Sequence, residues 1–220
     1  MSYDAVVFDM DGVLVENSPG WVFDRAARTA LRAHGVHTTP DAVGRLRDFP
    51  RDVPAAEAYF AEQHGVDFDA LWGRRERAAA AAQRQAIRRG EKTAYADIGV
   101  LPALEADLAV VSNNQHATVE TVLGRFGIAD HVGAWFGLEP ALTGVYRRKP
   151  DPLYLERAVD AVGGGTVLYV GDRPSDIAAA RYAGVDSAFV DRTGDRGEMG
   201  PGSTHTIGTL TAVAGLAPEG

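Results

Sequence analysis

Two carboxylates stand two positions apart in FDMDGVLVEN, residues 8–17, directly after the apolar run Val6, Val7, Phe8. Like charges this close repel unless a cation, a proton or a reacting group sits between Asp9 and Asp11. Further polar groups end other apolar runs. Ser112, Asn113 and Asn114 close DLAVVSNN, Lys149 stands in RRKPDP, and Asp172 and Asp176 follow TVLYV in GDRPSDI. With no cysteine in the chain, thiolate metal sites and disulfides are excluded. The six histidines form no HExxH or other close pair, so a hard, oxygen-ligated cation is the metal these residues favour.

Positioning such groups requires elements that end at one place. Four short segments rich in Val, Leu or aromatics read as buried strands: 4–9, 107–112, 166–171 and 185–190. Helical spacing separates the last three. Val119, Val122, Leu123 and Phe126 recur between 113 and a stop at Gly127. Asp151 and Pro152 suit a helix start, and Pro174 opens a helix that ends by Gly184. Strands alternating with helices predict a parallel sheet covered on both faces. Ligands then bind beyond the strands' carboxyl ends, where Asp9, Ser112 and Asp172 all fall.

Residues 17–92 carry helix patterns and no convincing strand. Val22, Phe23, Ala26, Ala27, Ala30 and Leu31 form one stripe, Pro54 and Gly65 bracket a second helix, and 74–89 is a strong helix former. This reads as a helical insertion, 17–92, into an α/β domain made of 1–16 and 93–220. Residues 191 to about 205 read as an irregular loop, and 204–216 as a short edge strand and a weak helix. The net charge of −8 argues against a general nucleic-acid binder, and no apolar run approaches the roughly 20 residues of a membrane span. No signal-peptide pattern opens the chain, so a cytoplasmic location is expected.

DMDGVLV, VVSNN, RRKPDP and GDRPSDI, in this order, resemble the four motifs of the haloacid dehalogenase (HAD) superfamily of hydrolases over residues 4 to about 190. The insertion is similar to the helical cap found after the first motif in many members. The resemblance implies a Rossmann-like, doubly wound parallel sheet with a small α-helical cap domain. It implies Asp9 as nucleophile toward phosphorus and Asp11 as general acid and then base. It also implies Mg²⁺ held by the Asp9 carboxylate, the Asp11 carbonyl and Asp172, with Asp176 in support. Ser112 and the amides of Asn113 and Asn114, expected at a helix N-terminus, would receive the phosphate. Lys149 would pair with both phosphate and Asp9, a task for a compact ammonium and not for arginine's planar fork. Only Lys92 and Lys149 occur beside twenty arginines, which singles out each lysine.

The expected activity is a Mg²⁺-dependent phosphatase acting on a small phosphorylated metabolite, such as phosphoglycolate or a sugar phosphate, with neither nucleic acid nor membrane as partner. A β-phosphoglucomutase-type phosphomutase shares the same machinery. A 2-haloacid dehalogenase would need neither the metal nor Asp11, and a non-catalytic phosphometabolite-binding protein is the reading outside enzymes. Plain structural roles compete at single positions: a turn for D-x-D-G, a helix cap for Asp151, and surface charge for Arg45, Arg47, Arg51, Arg74 and Arg75, with RLRDFPR read as a loop. Two departures from the usual motifs stand out. Arg173 replaces the serine that commonly follows GD, and Glu16 with Asn17 replaces Asp-Ser or Asp-Thr.

Overall fold

The computed structural model describes residues 3–194 and 202–216, so part of the 191–205 loop lies outside the described residues. The chain folds as two compact units, one of residues 1–17, 93–137 and 147–220, the other of residues 18–92 and 138–146.

Among the described residues, the first unit is built on a six-stranded sheet. Its strands are β1 (Ala5–Phe8), β2 (Asp107–Gln115), β3 (Ala134–Leu138), β4 (Val167–Gly171), β5 (Asp186–Val190) and β6 (His205–Ile207), in the order β3-β2-β1-β4-β5-β6. The fold is the expected α/β class, a Rossmann-like parallel sheet with flanking helices. β1 and β4 are buried along their whole length, as strands covered on both faces must be. Phe8 pairs with Val110 on one side and Val170 on the other. That register sets Asp9 one residue beyond the pairing, and Ser112 and Asp172 two residues beyond it. Chain order reverses across β1, the topological switch point at which open parallel sheets bind ligands.

β3 and the full length of β2 were not expected. β3 is a five-residue edge strand whose first three residues are only half buried, so it lacks the continuous apolar run of a central strand. β2 runs on through Asn113 and Asn114 to Gln115, and α5 (His116–Arg125) starts only there. Ser112 to Asn114 therefore lie on a strand end and not in the first turn of a helix. α7 (Leu153–Ala161) has Pro152 itself at the N-cap, where Asp151 was expected; Asp151 stands one residue further out and its carboxylate accepts the Leu153 amide at 3.0 Å. α8 (Pro174–Ala183) ends at Gly184 in the left-handed conformation, as its sequence predicts.

The second unit is helical: α1 (Trp21–Ala33), α2 (Pro40–Arg47), α3 (Val53–His64), α4 (Phe68–Arg88) and the short α6 (Leu142–Tyr146). Leu31, Leu46, Phe60, Leu71 and Trp72 share one apolar core with Leu142 and Val145. The segment 138–146, which its sequence position puts inside the α/β half, thus packs with the helices. Asp69 accepts the Leu142 amide at 2.8 Å, and a Cβ on Gly73 would run into the Pro140 carbonyl at 2.7 Å. The first half of RLRDFPR is helix, not loop, because Thr39 caps α2 by accepting the Ala42 amide. Arg75, expected at the surface, is 2% exposed. Its guanidinium donates to the carbonyls of Leu46 and Arg47 and pairs with Glu76. Among the described residues no helix is long and apolar enough to cross a membrane.

Candidate active site

The carboxyl ends of β1, β2 and β4 bring the motif residues together. Lys149 Nζ lies 2.7 Å from Asp9 Oδ1, 2.7 Å from Asp176 Oδ1 and 2.7 Å from the Tyr169 hydroxyl, with the Val111 carbonyl at 3.4 Å. All four side chains are buried. Asp176 also accepts the Arg173 amide at 2.9 Å, so one carboxylate both caps α8 and neutralises the lysine.

Asp9, Asp172 and Asp176 each offer an oxygen within 4.8 Å of the other two. Three clustered carboxylates, two beside the Lys149 ammonium and the third 3.9 Å from the exposed Arg173 guanidinium, leave an excess of negative charge in a buried place. Burial pushes the Asp9 carboxyl up to about 7, with Asp176 and Asp172 adding to the rise against the opposing pull of Lys149. Burial alone would lower the Lys149 ammonium, but Asp176 and Asp9 outweigh it and hold it well above its usual range. Burial likewise pushes the Tyr169 hydroxyl up. A buried all-oxygen acidic set of this kind fits a hard divalent cation.

The turn after β1 is shaped for this arrangement. Gly12 has φ +87°, its amide donates to the Val15 carbonyl at 2.7 Å, and a Cβ there would collide with the Asp172 carboxylate. Gly12→Ala is therefore expected to lower stability by about 1–3 kcal/mol. It should also weaken divalent-cation binding by displacing Asp172, and thermal unfolding with and without cation separates the two effects. Arg192, just past β5, ties the same turn down. It donates to the Gly12 carbonyl at 3.2 Å and to the Val13 carbonyl, pairs with Asp97 at 2.8 Å and lies 3.7 Å from the Tyr95 ring centroid. The chain leaves this unit and re-enters it side by side, Glu16 N donating to Thr93 O at 2.9 Å and Tyr95 N to Leu14 O at 3.1 Å.

Consecutive strand residues face opposite sides, which separates the two asparagines. Asn113 accepts the Lys149 amide at 2.8 Å and donates to its carbonyl at 3.4 Å, holding the backbone that carries the ammonium. Asn114 donates to Asp11 Oδ2 at 2.8 Å. Its backbone amide, expected to face a phosphate, donates instead to Ser112 Oγ at 3.1 Å. The two departures from the usual motifs meet: Arg173 donates to Asn17 Oδ1 at 3.1 Å. Sequence reasoning passed over Tyr169 and Arg192. The signal for Tyr169 was a phenol inside a buried strand, whose hydroxyl must find a partner. Arg192 carried none, because its acceptors are carbonyls about 180 residues away.

The family model described as haloacid dehalogenase-like hydrolase matches residues 3–184. The chain belongs to this family. As a HAD-type hydrolase it is 31% identical over 195 residues to the phosphoglycolate phosphatase of Cereibacter sphaeroides, covering 84% of this chain and 83% of that one. A Lactobacillus plantarum protein assigned as a phosphoglycolate phosphatase superposes with a TM-score of 0.62 at 21% identity over 97% of this chain and 98% of its own. A Thermotoga maritima protein assigned as a β-phosphoglucomutase gives 0.61 at 18% identity over 96% and 97%. Both structural likenesses concern the fold.

Proposed function

We propose that this HAD-type hydrolase is a Mg²⁺-dependent phosphatase that cleaves a small-molecule phosphate monoester through an aspartyl-phosphate on Asp9. The observation that carries the reading is the buried Lys149 ammonium, 2.7 Å from both Asp9 and Asp176 in an acidic set able to take a cation. Likeness to a named phosphoglycolate phosphatase along most of both chains supports a small acidic ester as substrate.

Asp9 Oδ attacks phosphorus while the bond from phosphorus to the ester oxygen breaks. Asp11 gives its proton to the departing alcohol, then takes one from the water that attacks the aspartyl-phosphate. Lys149 neutralises charge on Asp9 and on the transferring group, and the Ser112 hydroxyl donates to a phosphate oxygen. Asp9, the Asp11 carbonyl and Asp172, with Asp176 in support, would hold Mg²⁺, whose positive charge would keep Asp9 ionised and offset that of the phosphoryl oxygens. Asp11 and the acidic set weigh against a dehalogenase, which needs neither.

The test is release of inorganic phosphate from a panel of phosphate monoesters, with Mg²⁺ and with EDTA. Metal-dependent release, falling at least about 100-fold in EDTA, is the expected result. No release from any ester under either condition would overturn the proposal, and interconversion of sugar phosphate isomers would replace it with a mutase.

A further inference from the structure

We infer that Asn114 is a positioning residue for Asp11, fixing the orientation from which its carboxyl group delivers the proton to the leaving group. The inference rests on the acid/base role proposed above for Asp11.

Asn114 is buried at the end of β2, and its amide has one permissible orientation. Nδ2 donates to Asp11 Oδ2 at 2.8 Å while Oδ1 accepts the Gln115 amide at 3.0 Å. Turning the amide over would set Nδ2 against the Gln115 N–H and Oδ1 against the Asp11 carboxylate, donor facing donor and acceptor facing acceptor. The backbone is held as well, through the bond from Asn114 N to Ser112 Oγ.

The bond from Asn114 restrains rotation of the Asp11 carboxyl group, so the proton is offered from one geometry. Asn113, its neighbour on the opposite side of the strand, does the corresponding work for Lys149. Two adjacent amides thus hold one reacting carboxyl group and the backbone that carries the ammonium.

Leaving groups separate this role from a merely structural one. An alkoxide is a strong base and must be protonated as it leaves, whereas p-nitrophenolate is stable enough to leave without a proton. Single-turnover ester cleavage by Asn114→Ala should therefore fall about 10–100-fold with an alkyl phosphate and less than about 3-fold with p-nitrophenyl phosphate. Asn114→Asp keeps an acceptor for Gln115 but turns a carboxylate toward Asp11, and should show a larger alkyl-selective loss. Asp11→Asn should show the selective loss too, and Asn114→Ala added to it should produce no further selectivity.

Equal losses with both esters in folded Asn114 variants, or no loss with either, would overturn the inference while Asp11→Asn remains alkyl-selective. If Asp11→Asn itself affects both esters equally, or if wild-type protein cleaves neither, the underlying phosphatase reading fails and the inference falls with it.

Discussion

Asp9→Asn is expected to reduce phosphate release by at least about 10⁴-fold, the scale on which loss of a nucleophile is felt. In EDTA at pH 8 it is expected to raise the melting temperature by several degrees. Asparagine has the shape of aspartate, but its amide is too poor a nucleophile to form the proposed phosphoryl-enzyme. Burial is the largest cause lifting the Asp9 carboxyl to about 7, and Lys149 only partly offsets it. A carboxyl whose folded value exceeds its unfolded value of 3.8 adds stability below about pH 4 and loses it as pH rises to about 7. Above that, the ionised group is a net cost to the metal-free fold, and the neutral amide removes it. The gain in the variant should therefore shrink as pH falls from 8 toward 4. Differential scanning calorimetry at several pH values measures this. A lower melting point for the variant at pH 8 would mean that attraction to Lys149 outweighs burial, reversing the electrostatic account while leaving the nucleophile to be judged by the rate.

The contrast between what the chain announces and what it hides follows from range. Asp9, Ser112 and Asp172 were legible because each follows a short apolar run, and parallel strands deliver their ends to one edge. Lys149 was legible through the motif RRKPDP as much as through its rarity, which Lys92 shares. α2 was not: its eight residues span about two turns, too few for periodicity, and Gly44 interrupts them. Arg75 was read as solvated because nothing local neutralises it by the usual helical spacing. Its carboxylate is on Glu76, the next residue, and its other acceptors are carbonyls 28 and 29 residues away. Placement of 138–146 with the helices depends on where Leu142 and Val145 find apolar surface, which two residues on a five-residue helix do not disclose. The roles of the asparagines turned on one helix boundary. Extending β2 to Gln115 moves Asn114 from a phosphate-facing helix start to a position beside Asp11.

Lys149→Met should be the most damaging single change to the metal-free fold of the site. The substitution keeps an unbranched side chain and removes the ammonium, leaving Asp9 and Asp176 facing each other in a buried place with Asp172 nearby. Removing one partner of a buried ion pair costs about 3–5 kcal/mol, mostly through the charge left behind. The pH dependence identifies that cause. Lys149 is held well above its ordinary value by Asp176 and Asp9, so its contribution is fully present at pH 8 and declines only at strongly alkaline pH. The deficit in the variant should therefore be largest near pH 8 and shrink in acid, where protonation discharges the carboxylates that have lost their partner. Saturating Mg²⁺ should restore part of the melting temperature by supplying positive charge, yet phosphate release should remain at least about 100-fold down because the ammonium beside Asp9 is gone. Lys149→Arg separates charge from shape. It should recover more of the stability than of the rate, since a planar guanidinium cannot place one nitrogen 2.7 Å from Asp9, Asp176 and the Tyr169 hydroxyl together. A wild-type rate in Lys149→Arg would show that the site needs only a positive charge there, and the compact three-way contact would then belong to folding alone.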